Sequence, residues 1–414
     1  MMTYIFINRL RYERLRYHEA PEIRPGRYVA IFDDEFYARA PSIAHNVLDR
    51  IISLREFSVD TLSEVVLQEI EIAGGADNVR IVCWDEEIME LCGGIRETFA
   101  IPGPAAEQLR PFRHKVEMKF ALSSEGIATP RYFRSARCEV SKHSLIDDIA
   151  ASTGFPLIAK PADGYGASGV YKICGYEELK TFLTKVQDIE DWDFEEFIEG
   201  DVCSCDCIIE AGKIVFCGVT RSIGTPLEFL NGQNRSSYIV DPESTLYQRV
   251  RKFNERVIAT LCPPAAATHL EVILKPNEDI IFLEIGARPA GGEIWRGYDH
   301  AFGIDLVRAL LSIELGQTIS VNPAKQFSPT GWTYFTRQPG EVTAISEPTL
   351  KSSFVKFDWK VSIGSSSSKS AFVFDRAGTA FYSDLSPAVV LDDANDLRNF
   401  FPVNVRYILE NTSF

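Results

Sequence analysis

The sequence predicts a chain of several domains in the mixed α/β and α+β class. Strand and helix patterns alternate through residues 1–110, glycine loops and a strong hairpin signal occupy the middle, and β-rich segments follow Gly316. A length of 414 residues allows two to four domains with ample core.

In the first region, "TYIFIN", "YVAIFD", "IISLREF" and "VRIVCW" read as strands. "DTLSEVVLQEIEIAGG" reads as a helix that begins at an aspartate and stops at glycine. This βαβ pattern implies a small parallel sheet, and no GxGxxG follows its first strand, so a dinucleotide site is not expected there. "PGPAAEQLRP" reads as a linker, and "FRHKVEMKFALSSEGIATP" as a helix ending at Gly126. Between 157 and 220 come several strands with the helix "YEELKTFLTKVQ" among them. A hairpin spans 269–288, and "GIDLVRALLSIELG" is an amphipathic helix. Beyond it "GWTYFTR", "SFVKFDWKVSI", "AFVFDRAGTAFY" and "VRYIL" read as β segments, with "GSSSSKS" as a flexible connection.

A net charge of −15 argues against a nucleic-acid or anionic-membrane partner. No apolar run approaches the ~18 residues that span a bilayer. The N-terminal apolar start meets arginines too early for a signal peptide. Nine cysteines, an odd count without a regular framework, point to a reducing cytosol. Cys203, Cys205 and Cys207 alternate on one strand, where such neighbours lie ~6.5 Å apart. That is too far for adjacent ligands at ~2.3 Å from one metal, so buried thiols on one strand face are expected.

Two constellations carry chemistry. In "IAKPADGYGASGVYKI" Lys160 precedes the glycines and a strand follows them, so this is a strand–loop–strand flap and not a P-loop. Gly164, Gly166 and Gly169 let backbone N–H groups approach an anion, and Ser168 adds a hydroxyl; a plain glycine hairpin explains the stretch equally well. In "THLEVILKPNEDIIFLEIGARPAGG", a turn centred between Asn277 and Glu278 sets Pro276 opposite Asp279 and Glu271 opposite Glu284. Leu270, Val272, Leu274, Ile281, Leu283 and Ile285 then share one face, while Ile273, Phe282 and both glutamates share the other. Opposed like charges ~5 Å apart are destabilising. A hard cation held by both carboxylates and substrate phosphates relieves the repulsion. Arg288, four residues beyond Glu284, offers a planar fork to phosphate or carboxylate.

In this order the pieces resemble the ATP-grasp superfamily over roughly residues 111–315. The resemblance implies an ATP-grasp fold with an N-terminal Rossmann-like α/β domain (1–110) and a small subdomain bearing the flap (111–198). A large subdomain with the metal site (199–318) and a β-rich C-terminal region (319–414) complete it. It assigns Lys115 and Lys160 as the ATP lysines and "EEFIEG", with Glu195, Glu196, Phe197 and Ile198, as the hinge along adenine. Ile273 and Phe282 would lie against the base, and Glu271 and Glu284 would hold Mg²⁺, two ions in the family's usual pattern, with Mn²⁺ as a substitute. Two positions depart from the family: Val202 stands where a ribose glutamate is common, leaving Asp201 as the substitute, and Gly286 replaces a metal-site asparagine.

Within the superfamily "EIGARPAGG" resembles the carboxylate–amine ligases, bacterial L-amino-acid ligases above all. That implies an acyl phosphate made from ATP, attack by an amine, and release of ADP and phosphate. Arg288 would hold the tetrahedral oxyanion, with Gly291 and Gly292 leaving room for substrate. Arg221 reads either as a partner for a substrate carboxylate or as half of an ion pair. Small-molecule acid and amine substrates follow, with peptide natural-product biosynthesis as a family analogy and dimerisation common among relatives. The rival readings are an ATP-grasp carboxylase that phosphorylates bicarbonate and a non-catalytic ATP-binding module.

Overall fold

The structure, a computed structural model, describes residues 1–9, 15–38, 42–133, 142–162, 169–186, 188–189, 192–264, 267–319 and 327–407. The four N-terminal strand patterns become β1 (Thr3–Ile7), β2 (Arg27–Asp33), β3 (Arg50–Leu54) and β4 (Val79–Val82). They form the expected parallel sheet, in the order β3-β2-β1-β4. The helix Val59–Ala73 is capped by Ser58, one residue outside it, with Thr61 completing a capping box; the predicted aspartate lies inside the first turn. Gly74 ends the helix at φ 76°, the left-handed conformation that favours glycine.

The central region holds two sheets. The smaller comprises β5 (Tyr132–Phe133), β6 (Leu157–Pro161), β7 (Tyr171–Ile173) and β8 (Trp192–Glu196), antiparallel in the order β5-β8-β6-β7. Leu157, Ala159 and Phe194 bury its outer face against Leu179 and Leu183 of the helix Tyr176–Lys185 and Ile149 of the helix Lys142–Thr153. The larger sheet contains β9 (Asp201–Glu210), β10 (Lys213–Ile223), β11 (Arg235–Ile239), β12 (Ala267–Leu274), β13 (Ile280–Gly286) and β14 (Thr330–Phe335). A small third sheet of β15 (Gly340–Ile345), β17 (Ser366–Ser367) and β19 (Val403–Arg406) flanks it. β16 (Phe354–Trp359) and β18 (Gly378–Ser383) join the large sheet, whose order is β13-β12-β9-β10-β11-β14-β18-β16. The change of texture after Gly316 is therefore not a break in this sheet, because β14 pairs directly with β11.

Strand alternation gives the large sheet two different faces. One carries Cys203, Cys205, Cys207, Leu270 and Val272 and packs on Tyr247, Val250 and Val257 of the helix Thr245–Leu261. The thiols are buried on one strand face as expected, and burial pushes Cys203 up to about 12. The sulfurs of Cys205 and Cys207 lie closer than the ~6.5 Å expected along a strand, and with Cys217 of β10 all three fall within 4.8 Å of one another, so strand spacing does not by itself exclude a shared metal here. The other face carries Glu271, Ser204, Thr220, Ser222 and Ser237, and it faces a cleft. The helices Met89–Phe99, Thr245–Leu261, Ile294–Phe302 and Pro387–Arg398 are additions to the sequence reading. Among the described residues no helix is long and apolar enough to cross a membrane.

Candidate active site

The cleft between the sheets, ≈ 2100 Å³, gathers side chains from both constellations, from the hinge at 195–198 and from the loop after the N-terminal β4. At its floor Glu271 of β12 pairs directly with Glu284 of β13, as the sequence predicts. The turn is different from the prediction. Lys275 rather than Pro276 faces Asp279, its N–H donating to the Asp279 carbonyl at 2.9 Å, and Glu278 takes the left-handed conformation at φ 68°. A bulge next to Glu271 absorbs the extra residue and restores the glutamate pair.

That bulge also overturns one predicted contact. Val272 pairs with Phe282, so Phe282 lies in the core, fully buried, with its N–H donating to the Ala128 carbonyl at 2.8 Å. Leu283 takes its place beside Ile273 on the cleft wall. Phe282 is therefore not positioned to touch a base.

The two glutamates make an all-oxygen donor set. Burial pushes Glu271 above the usual carboxylate range, His269 works against this, and Glu284 adds to it. Lys115 Nζ stands 3.8 Å from Glu284. Paired carboxylates under this strain fit a hard divalent cation such as Mg²⁺.

Lys115 opens the helix Lys115–Ser124, which aims its ammonium at Glu284 and, at 3.4 Å, at the Ala162 carbonyl. Lys160 sits near the end of β6, with Nζ 2.6 Å from Glu195 Oε1. Lys119, one helical turn beyond Lys115 and absent from the sequence prediction, pairs with the other oxygen of Glu195. Glu195 is thus buried between two ammonium groups, and its side chain is committed to them. Burial alone would raise this carboxyl, but Lys119 and Lys160 hold it down to about 2. Its value in the folded state lies below that in the unfolded chain. Its stabilising contribution is therefore complete above the ordinary carboxylate range and is lost as pH falls towards 2. Glu195→Gln takes from two buried cations the carboxylate that pairs with both, and a loss of about 3–5 kcal/mol is expected in denaturant unfolding at neutral pH.

Along the hinge, Glu196 binds Arg131 at 2.9 Å, and Phe197 donates its N–H to the Pro156 carbonyl at 3.1 Å. Lys172 covers the Phe197 ring at 3.6 Å, and Ile198 lines the cleft. Gly169 closes the flap at φ 70°; Gly164, Gly166 and Ser168 lie outside the described residues. Asp201 and Arg221 spend their charges on each other, N···O 2.6 Å. Arg221 stands opposite Cys203 in the register, and with Asp201 it lines the cleft as a part-exposed ion pair, so the alternative of an ion pair is the one observed for Arg221 and Asp201 already has a partner there.

Arg288 Nε lies 2.6 Å from the carboxylate of Glu86, in the loop after β4 of the N-terminal sheet. Burial would raise Glu86, but the guanidinium holds it below the usual range. Gly291 and Gly292 line the cleft, but the space over them is narrow: Phe374 packs 3.2 Å from where a Gly291 Cβ would sit, and a Gly292 Cβ would collide with the Tyr334 hydroxyl. At Gly286 the corresponding space, 3.3 Å away, is taken by the Arg288 side chain itself.

Residues 112–292 match the family model for an ATP-grasp domain. The chain carries an ATP-grasp domain. It is 26% identical to the L-arginine-specific L-amino acid ligase of Bacillus subtilis, over 69% of each chain. The L-amino acid ligase of Bacillus licheniformis superposes with a TM-score of 0.71 at 14% identity, covering 99% of both chains. The biotin carboxylase domain of Hydrogenobacter thermophilus 2-oxoglutarate carboxylase, solved with MgADP and bicarbonate, superposes with a TM-score of 0.64. It is 14% identical over 98% of this chain and 91% of that one. These likenesses establish the ATP-grasp fold over nearly the whole chain.

The ATP-grasp cleft contains groups that sequence reading missed. His269 shares the face of Glu271, with Nε2 3.8 Å from it and Nδ1 2.6 Å from Asp206. Tyr298 reaches Asp206 at 2.7 Å by packing over Gly218, where any side chain would collide with its ring. The spacing His269-x-Glu271 is a legible signal, since both residues point to one side of a strand. Glu86 is legible too: it follows the carboxyl end of a parallel strand, where α/β sheets place ligand-facing residues. Lys119 could be found only through its partner, Glu195.

Proposed function

We propose that the protein is an ATP-dependent carboxylate–amine ligase that forms an amide or peptide bond through an acyl phosphate. The observation that carries this reading is Arg288, a part-buried guanidinium held by Glu86 in the same cleft as the opposed Glu271 and Glu284 and the lysines Lys115 and Lys160. Nucleotide binding alone does not call for an arginine on this side of the metal pair.

In the reaction a carboxylate oxygen attacks the γ-phosphorus, the bond to the bridging oxygen breaks, and ADP leaves. The amine nitrogen then attacks the acyl carbon, phosphate leaves, and the nitrogen gives up a proton. Lys115 and Lys160 bind the phosphates, and their charge offsets what builds up in transfer. Glu271 and Glu284 would hold Mg²⁺, which supplies charge neutralisation at the phosphates. Ile198, Ile273 and Leu283 receive the base. Arg288 steadies the acyl group through the tetrahedral stage.

Amino acids or small carboxylic acids on one side and an amino acid on the other are the substrates this reading favours, in keeping with the named activity of the Bacillus subtilis relative. Peptide natural-product biosynthesis, a cytosolic setting suited to free thiols, and a homodimer belong to the same proposal. So do the four segments 1–110, 111–198, 199–318 and 319–414 as its structural units.

The test is a matrix of acids and amines scored by phosphate release and mass spectrometry. ADP and phosphate that appear only when an amine is added support a ligase. Phosphate release driven by bicarbonate without an amine points to a carboxylase, and AMP with pyrophosphate rules out the acyl phosphate.

A further inference from the structure

The cleft is crowded with arginines, and nearly all have their charge matched. Arg9 binds Asp85 and Glu87, Arg288 binds Glu86, Arg337 binds Asp375, and Arg296 and Arg376 share Glu293. Arg235, at the start of β11, differs from these five. It has no carboxylate partner among the described residues; its Nη2 donates to the Ser222 hydroxyl at 2.9 Å, and its Nε has no acceptor.

The sheet register fixes where Arg235 points. It pairs with Tyr334, and its neighbour Ser237 pairs with Ser222 and Trp332, all on the face that looks into the cleft. Burial weakens its hold on its proton, and Glu271 and Tyr334 are near enough to strengthen it. Its Nε is buried without an acceptor while the rest of the guanidinium reaches the cleft, and a cation with unused donors in a ligand cleft is preorganised for an anion.

We propose that Arg235, with the Ser222 and Ser237 hydroxyls beside it, forms a subsite for the carboxylate of the amine substrate. The proposal rests on the ligase reading above and deepens it by naming the side chain that recognises the free carboxylate of the amino-acid nucleophile. The other oxyanion available to this guanidinium is a phosphate of ATP. The placement favours the carboxylate, because Lys115 and Lys160 already serve the phosphates from the opposite wall. Arg235 instead sits beyond β9 and β10, beside the C-terminal strand β14.

The experiment compares an α-amino acid with its own carboxamide as the amine, with the acid substrate held constant. Its first readout is the ratio of kcat/KM for the two amines, in the wild-type enzyme and in Arg235→Met. The second is ADP affinity by calorimetry, with thermal unfolding as a control for folding. The wild type is expected to favour the amino acid, and Arg235→Met to lower that preference about 10²-fold with ADP affinity within about twofold, as loss of one buried charge partner would do. Arg235→Lys should restore only part of the preference, since a point charge replaces a fork. Where Arg235→Met does not fold, Arg235→Gln, which keeps a donor for Ser222, gives the same reading.

An unchanged preference in a folded, active variant overturns the carboxylate subsite and leaves the ligase reading intact. A fall in ADP affinity with the preference kept assigns Arg235 to the nucleotide and also overturns it. If the wild type shows no amine-dependent ADP release with any acid, the ligase reading fails and the subsite falls with it.

Discussion

Arg288→Ala is expected to bind ATP nearly as well as the wild type and to lose amide synthesis by about 10²–10³-fold. The arginine is far from neutralisation, since Glu86, Glu284 and Glu271 all favour its charge against burial. That suits the proposed task of staying cationic through the cycle while the anion passes from acyl phosphate to tetrahedral intermediate. Arg288→Lys should recover little, because an ammonium cannot replace two parallel N–H donors. In the resting cleft the fork is engaged by Glu86, so an entering carboxylate has to compete with that residue. The checks are nucleotide affinity by calorimetry and product by mass spectrometry. Loss of ATP affinity together with synthesis, or loss of neither, would show that Arg288 does not serve the acyl group.

Glu284→Gln should have an effect at least as large. It removes one of two opposed carboxylates while keeping the side-chain shape, so turnover should fall by orders of magnitude and the Mg²⁺ demand should rise. The fold should survive, because Glu284 is part-exposed at 32% and its nearest cation, Lys115, is 3.8 Å away. Removing a like charge beside Glu271 also relieves repulsion, so the unfolding midpoint should hold or increase slightly. Steady-state rates against Mg²⁺ concentration and thermal unfolding measure the two effects. A more stable variant with full activity would make the pair a repulsive accident of the sheet.

Local pattern in the chain was enough for the parallel N-terminal sheet, the opposed glutamates and the place of the arginine after them. Each depends on spacing along one strand, helix or hairpin, and alternation carries such information directly. The β12–β13 turn shows where this ends. Pattern alone centres it one register away from the real turn, because a bulge costs little locally and is selected by what the strands pack against. As a result Phe282 enters the core and Leu283 enters the cleft.

The sequence by itself determined the order of Lys115, Lys160, the carboxylate pair and Arg288, and with it the chemistry proposed for the cleft. Only the tertiary structure decided which charges are free for it. Asp201 and Arg221 cancel, and Lys119 and Lys160 bracket Glu195. Glu86 reaches Arg288 from 202 residues away, and Arg235 is left with no carboxylate among the described residues. Charges pair through space, across contacts that join distant segments, and no period of the chain encodes which two will meet.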